Sequence, residues 1–167
     1  PGKRARLSSQ AEKGRKSPRF KGRSPASAQA SRTKQRNRGR ETKAEIVLRK
    51  ALWHRGARYR LHAQDLPGKP DLVFRGPQVA VFVDGDFWHG RNWAEQREKI
   101  IRRNNGDYWV AKIEYNMTRD RKQTEELEAK GWTVVRLWET DVKADPERAV
   151  EEVLEELRRK KAGKFDP

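Results

Sequence analysis

The chain has 167 residues, 40 Lys or Arg against 24 Asp or Glu for a net charge of +16, and no Cys, which leaves room for one domain and excludes disulfides and thiolate zinc sites. No apolar run reaches the length needed to cross a bilayer, and the first residues lack the apolar core of a signal peptide, so a soluble, unexported protein is expected. The charge is uneven: residues 1–40 carry 14 Lys or Arg against the single acidic Glu12, a net of +13 that leaves +3 for residues 41–167.

That first stretch is rich in Ser, Gly, Gln and Arg and nearly free of large apolar side chains, so it cannot bury enough surface to offset the entropy of ordering. Residues 1–40 are read as an arm that is disordered when free and neutralises phosphates, with Arg32, Arg36, Arg38 and Arg40 among its DNA contacts. A solubilising or ribosome-associating tail is the plainer alternative. Thr42-Lys-Ala-Glu45 is a capping box, and Ala44, Val47, Leu48, Ala51 and Leu52 recur at helical spacing until Gly56 ends the first helix. Arg58 to His62 alternates as a strand. His54 and His62 have no partner at a recognisable spacing and read as ordinary, partly exposed residues.

Leu66 to Gly90, LPGKPDLVFRGPQVAVFVDGDFWHG, then forms a hairpin-sized unit. Gly68 and Pro70 punctuate its entry, Asp71 stands at the start of a strand through Phe74, Arg75-Gly76-Pro77 is the turn, and Val79 to Val83 is a strand buried on both faces. A short helix is expected over Asn92 to Arg103 with Asn92 as N-cap, and a charged helix over Thr118 to Lys130. Trp132 to Trp138 reads as a strand central in the sheet beside Val79–Val83. The last helix is opened by Asp145-Pro146 and stripes Ala149, Val150, Val153, Leu154 and Leu157 inward; residues 162–167 form a tail. The sum is an α/β fold with a mixed central sheet flanked by helices, its domain spanning residues 41–161.

Two neighbouring strands can bring Asp71 to the loop from Asp84 to His89. Carboxylates and carbonyls at strand ends are hard-oxygen ligands of the kind Mg²⁺ prefers, and an imidazole beside them can handle a proton at neutral pH. Asp71, Asp84 and Asp86 also have a plainer reading as turn formers.

LPGKPDLVF, VFVDGDFWHG, the Arg119–Arg121 triplet RDR, GWTVVRLWE and the preceding TKAE resemble the very-short-patch mismatch repair endonuclease (Vsr) family over roughly residues 31–142. The resemblance implies a restriction-endonuclease-like fold and a Mg²⁺-dependent endonuclease that nicks one strand of duplex DNA at a mismatch. It further implies a bacterial, cytoplasmic and nucleoid-associated monomer, with mismatch-repair proteins as partners. In it Asp71 and the Val83 carbonyl would hold the metal, with Glu45, Asp84, His89 and Asp120 grouped around them and His89 as general base. Phe87, Trp88 and Trp109 would intercalate beside the mispair; packing in the core, as expected of Trp53, Trp132 and Trp138, is the alternative. Glu45 has the competing role of helix cap.

The chain departs from the pattern twice. No Lys lies between Lys69 and Lys99 to serve as the wider superfamily's lysine, so His89 is expected to cover that role. The positions that carry a structural zinc in the mismatch-repair members are here Asp86, Arg91, Trp93 and Thr140, so no structural zinc is expected, and an ionic or hydrophobic substitute such as Trp93 on the sheet must hold the loop. Rival functions are a related DNA nuclease without mismatch specificity and a non-catalytic nucleic-acid-binding module.

Overall fold

The computed structural model describes residues 16–20, 22 and 41–163. The remaining residues, including Arg32, Arg36, Arg38 and Arg40, lie outside the described part. In chain order the elements are α1 (Lys43–His54), β1 (Arg60–Leu61), β2 (Leu72–Phe74), β3 (Val79–Asp84), α2 (Trp93–Ile101), α3 (Gly106–Glu128), β4 (Thr133–Trp138), α4 (Glu139–Ala144) and α5 (Pro146–Ala162). The strands form one mixed sheet in the order β1-β2-β3-β4, antiparallel except for the parallel β3–β4 pair.

Strand alternation sorts the sheet into two faces. Val79 and Val81 join Val135 and Leu137 against Leu48 and Leu52 of α1 and Val150 and Val153 of α5, which makes the main core. Ala80 and Phe82 turn the other way and meet Leu127 of α3. Each such Val, Leu or Phe side chain taken fully out of water contributes about 1.5–3 kcal/mol, so both helical layers are fastened by burial. Asp84 continues the α3-side alternation of Ala80 and Phe82, and the face of α3 that buries Ile113 and Leu127 also presents Asn116 and Asp120. The packing that builds the sheet thus sets these carboxylates at its carboxyl end. Among the described residues no helix is long and apolar enough to cross a membrane.

Two of the three helix caps expected from the sequence are present. Thr42 and Glu45 exchange capping-box hydrogen bonds, and Asp145 accepts from Arg148 N–H ahead of Pro146. Four expectations are corrected. The charged helix starts at Gly106 rather than Thr118, because polar Asn116 and Asp120 complete a buried face that apolar counting misses. β4 is an edge strand, not a central one, since among the described residues nothing pairs beyond it in the sheet. Asn92 makes no side-chain cap; its backbone is left-handed (φ 52°), a conformation Asn tolerates through its short polar side chain. Trp53 is 51% exposed instead of buried, with the Arg58 guanidinium 3.9 Å from its ring centroid.

Candidate active site

Gly68, with φ +75°, admits the chain beneath Phe82 and Gln123, where a Cβ would stand 3.1 Å from the Phe82 ring and 2.9 Å from Gln123 Oε1. Three residues on, the Asp71 backbone is tied to both neighbouring strands: its N–H donates to Val81 C=O (3.0 Å), and its C=O accepts from His62 N–H (3.1 Å). In the side chain, Oδ2 accepts the Val83 N–H at 2.8 Å. Burial pushes the Asp71 carboxyl up, the Val83 N–H opposes this, the charges of Glu45 and Asp84 raise it further and Arg136 lowers it, leaving it at about 7.

Glu45 stands beside it, 5% exposed. Its Oε2 accepts from Glu41 N–H (2.9 Å) and its Oε1 from Thr42 N–H (3.3 Å). Each carboxylate oxygen has a second acceptor site, so capping leaves Glu45 able to bind elsewhere, and the two roles weighed against each other in the sequence are compatible. Glu45, His62 and Asp71 each place one ligand atom within 4.8 Å of the others. His62, read from the sequence as unremarkable, is therefore part of the cluster. A buried carboxylate raised to about 7, in a donor set of two carboxylates and an imidazole, is a site that a divalent cation would relieve, so these residues fit a metal.

Across a cleft of about 770 Å³ lined by both groups, the second cluster is an ion-pair network. Arg136 of β4 grips Asp84 with two hydrogen bonds (Nε–Oδ2 2.6 Å, Nη2–Oδ1 2.8 Å). Asp120 Oδ1 accepts from Arg119 Nη2 at 2.8 Å, and its Oδ2 lies 2.5 Å from His89 Nδ1. Burial raises the Asp120 carboxyl, but the hydrogen bonds from His89 and Arg119 outweigh it and hold it below its ordinary value. An ionised carboxylate only accepts, so His89 Nδ1 is the donor, which leaves Nε2 as the lone-pair nitrogen of the neutral ring. Gly90, at φ +73°, follows His89 where a Cβ would lie 2.4 Å from Met117 Sδ.

The loop between Asp84 and His89 carries the aromatics. Phe87 is 42% exposed. Its ring meets Trp88 and Trp109 edge-on at 5.2 and 5.9 Å, and Trp88 meets Trp109 at 5.7 Å. Phe20 extends this platform onto Tyr108 (4.9 Å) and Trp109 (5.9 Å), while Lys112 Nζ donates to Ser17 Oγ (2.5 Å). Behind the loop, Asn116 Nδ2 donates to Trp88 C=O (3.0 Å). Asp86 is clasped by Arg91 (2.9 Å) and by the Thr140 hydroxyl (2.6 Å), and Arg91 reaches on to Asp141 (2.7 Å). Burial raises the Asp86 carboxyl, but the bonds from Thr140 and Arg91 leave it lowered overall. Trp93 packs with Ile100, Val110 and Ile113 between α2 and α3, not on the sheet.

Sequence reasoning missed His62, Arg119, Asn116 and Arg136. A signal existed for Arg136, a lone cation inside the apolar run VVRLW; in the parallel register it pairs with Phe82, two residues before Asp84. For His62 the signal was the β1–β2 hairpin, which pairs Leu61 with Leu72 and so carries the next residue to Asp71.

The family model "DNA mismatch endonuclease Vsr" matches residues 25–95. Type II nicking enzyme V.NmeDIP of Neisseria meningitidis serogroup C is 42% identical over 126 residues, covering 75% of this chain and 84% of the relative. Type II nicking enzyme V.HpaIIP of Haemophilus parainfluenzae is 42% identical over 113 residues, 68% of this chain and 77% of the relative. DNA mismatch endonuclease Vsr of Escherichia coli K12 is 31% identical over 117 residues, 70% of this chain and 72% of the relative. With more than two thirds of each of these relatives covered, the chain belongs to the Vsr family, and it is a metal-dependent, DNA-cleaving endonuclease.

Proposed function

We propose that this endonuclease uses Mg²⁺ to nick one strand of duplex DNA at a mismatch. The observation that carries the reading is that one six-residue segment, Asp84 to His89, holds both a site carboxylate with its imidazole and two adjacent rings, Phe87 exposed and Trp88 half-buried. Apolar side chains inserted between base steps unstack them at a cost of a few kcal/mol, and a mispair resists less than a matched pair. A wedge on the loop that carries the imidazole would couple entry at a mispair to cleavage beside it.

Asp71 would hold the metal together with the Val83 carbonyl, which leaves an extended strand on the same edge as the Val83 N–H and hence on the Asp71 side. Bound there, the ion would supply positive charge to the scissile phosphate and make attacking water more acidic. His89 Nε2 accepts the water's proton; Asp120 keeps the ring oriented through Nδ1 and stabilises the charge it gains. Asp84, locked by Arg136, fixes the start of the loop, and Glu45 closes the cluster from α1.

In this reading residues 1–40 are a basic arm on the duplex, residues 41–161 the nuclease domain and residues 162–167 a tail. The protein acts as a monomer in the bacterial cytoplasm, on the nucleoid, alongside mismatch-repair proteins. The test is end-labelled duplex with and without one mispair, in Mg²⁺ and in EDTA. Mg²⁺-dependent nicking of the mispaired duplex is expected, and equal cutting of matched duplex would overturn the specificity. A second reading, strand-specific nicking without a mispair, is favoured by the names of the relatives at 42% identity, which say nicking enzyme and do not mention mismatch.

A further inference from the structure

His62 sits where β1 ends, in left-handed backbone (φ 47°) that His tolerates better than bulkier residues do. Its N–H is tied to Asp71 C=O and its C=O accepts from Gln64 Nε2 (3.4 Å). Among the described residues the ring itself has no hydrogen-bond partner. Its Nδ1 lies 4.0 Å from Asp71 Oδ1, beyond hydrogen-bonding range. That Oδ1 is the Asp71 oxygen not engaged by Val83, and both Glu45 oxygens keep an acceptor site after capping. Three donors thus stand within 4.8 Å of one another with no bond between them. Ligands of one octahedral ion with bonds of about 2.1 Å lie about 3 Å apart when adjacent and about 4.2 Å apart when opposite, the scale of this gap.

We propose that His62 supplies an imidazole nitrogen directly to the ion that Asp71 holds, so that the site's donors are two carboxylates and a nitrogen instead of oxygen alone. The inference rests on the reading of Asp71 as the metal carboxylate. Imidazole nitrogen adds affinity for first-row transition ions and little for Mg²⁺, so His62 shifts the site's preference from Mg²⁺ toward Mn²⁺. His62 then acts through the ion it helps to hold, and His89, its ring fixed on Asp120, remains the proton-handling imidazole.

The experiment uses Mn²⁺ with the full-length chain, without DNA, and reads nitrogen hyperfine coupling by pulsed EPR together with Mn²⁺ and Mg²⁺ affinities. The variants are His62→Asn and His62→Gly, both compatible with a positive φ, with His89→Gln and Asp71→Asn as references; circular dichroism checks that each is folded. Imidazole coupling in the wild type should vanish in both His62 variants and persist in His89→Gln. Mn²⁺ affinity should fall by about tenfold or more on losing His62, with Mg²⁺ affinity changed far less, so that the Mn²⁺ to Mg²⁺ ratio drops. Coupling that survives both His62 substitutions, or that disappears with His89→Gln, overturns the proposal alone. Mn²⁺ binding that ignores Asp71→Asn overturns the metal reading beneath it, and this inference with it.

Discussion

On the α3 side of the cleft, Arg136 holds Asp84 and Arg119 holds Asp120, which also accepts from His89, so buried negative charge is met by guanidinium charge already in the chain. On the α1 side, the hydrogen-bond donors to Asp71 and Glu45 among the described residues are backbone N–H groups of Val83, Glu41 and Thr42. Burial acts on Asp71 and Asp120 alike, yet the carboxyl of the first rises to about 7 while that of the second falls below its ordinary value. The difference lies in partners. One half of the cleft neutralises its own carboxylates, and among the described residues no Lys or Arg is hydrogen-bonded to Asp71 or Glu45 in the other.

The sharpest way to break that contrast is Asp71→Asn, which keeps an acceptor for the Val83 N–H and removes the charge. Nicking should fall by at least about 10³-fold, the scale of losing a principal electrostatic group, with duplex affinity nearly unchanged because affinity comes mostly from phosphate contacts. Stability should respond with opposite signs in the two halves. Without metal, Asp71 keeps its proton up to about pH 7 in the folded state but releases it near pH 4 when unfolded, so its share of stability declines as pH rises between those values. Asp120, lowered on folding, contributes stability above about pH 4 that is lost as pH falls through its folded value. Urea unfolding in EDTA from about pH 5 to 8 should show the first slope. Mg²⁺ or Asp71→Asn should flatten it; an unchanged slope in Asp71→Asn would assign it to another group.

His89→Gln tests the self-neutralised half. Loss of a positioned proton acceptor should lower nicking by about 10²–10⁴-fold with little change in duplex affinity, measured by single-turnover cleavage across pH. A wild-type ascending limb that persists in His89→Gln would remove the imidazole from that role.

What the sequence made legible follows the same division. LPGKPD and DGDFWHG place Asp71 and His89 because each lies beside its own turn, and the capping box places α1, all over short chain separations. Arg136 and His62 were not legible, because their importance comes from register: a parallel pairing with β3 in one case, an antiparallel pairing with β2 in the other. The length of α3 was hidden for a related reason, since its buried face includes Asn116 and Asp120 where an apolar stripe would be sought. Buried polar residues erase a periodicity signal just where they build a site.

A smaller effect is expected at the platform. Replacing Phe87 and Trp88 together with Ala should reduce cleavage of mispaired duplex more than residual cutting of matched duplex, measured side by side. Equal loss on both substrates would show that the rings support the His89 loop and do not probe the stack.

The smallest effect on cleavage is expected from the arm. Most of the excess positive charge lies in residues 1–40, and neutralising phosphates releases counterions, so deleting residues 1–38 should weaken duplex binding most at low salt. The slope of log affinity against log salt should flatten by about 0.9 for each phosphate that the arm no longer neutralises, while the position of the nick stays the same, because binding to phosphates carries no sequence information. The deletion also removes Phe20 from Tyr108 and Trp109, which could alter the platform independently of charge. Phe20→Ala in the full chain separates the two: it should leave the salt slope alone and register, if anywhere, in the ratio of mispaired to matched cleavage. A deletion that leaves the slope unchanged would take the arm off the DNA.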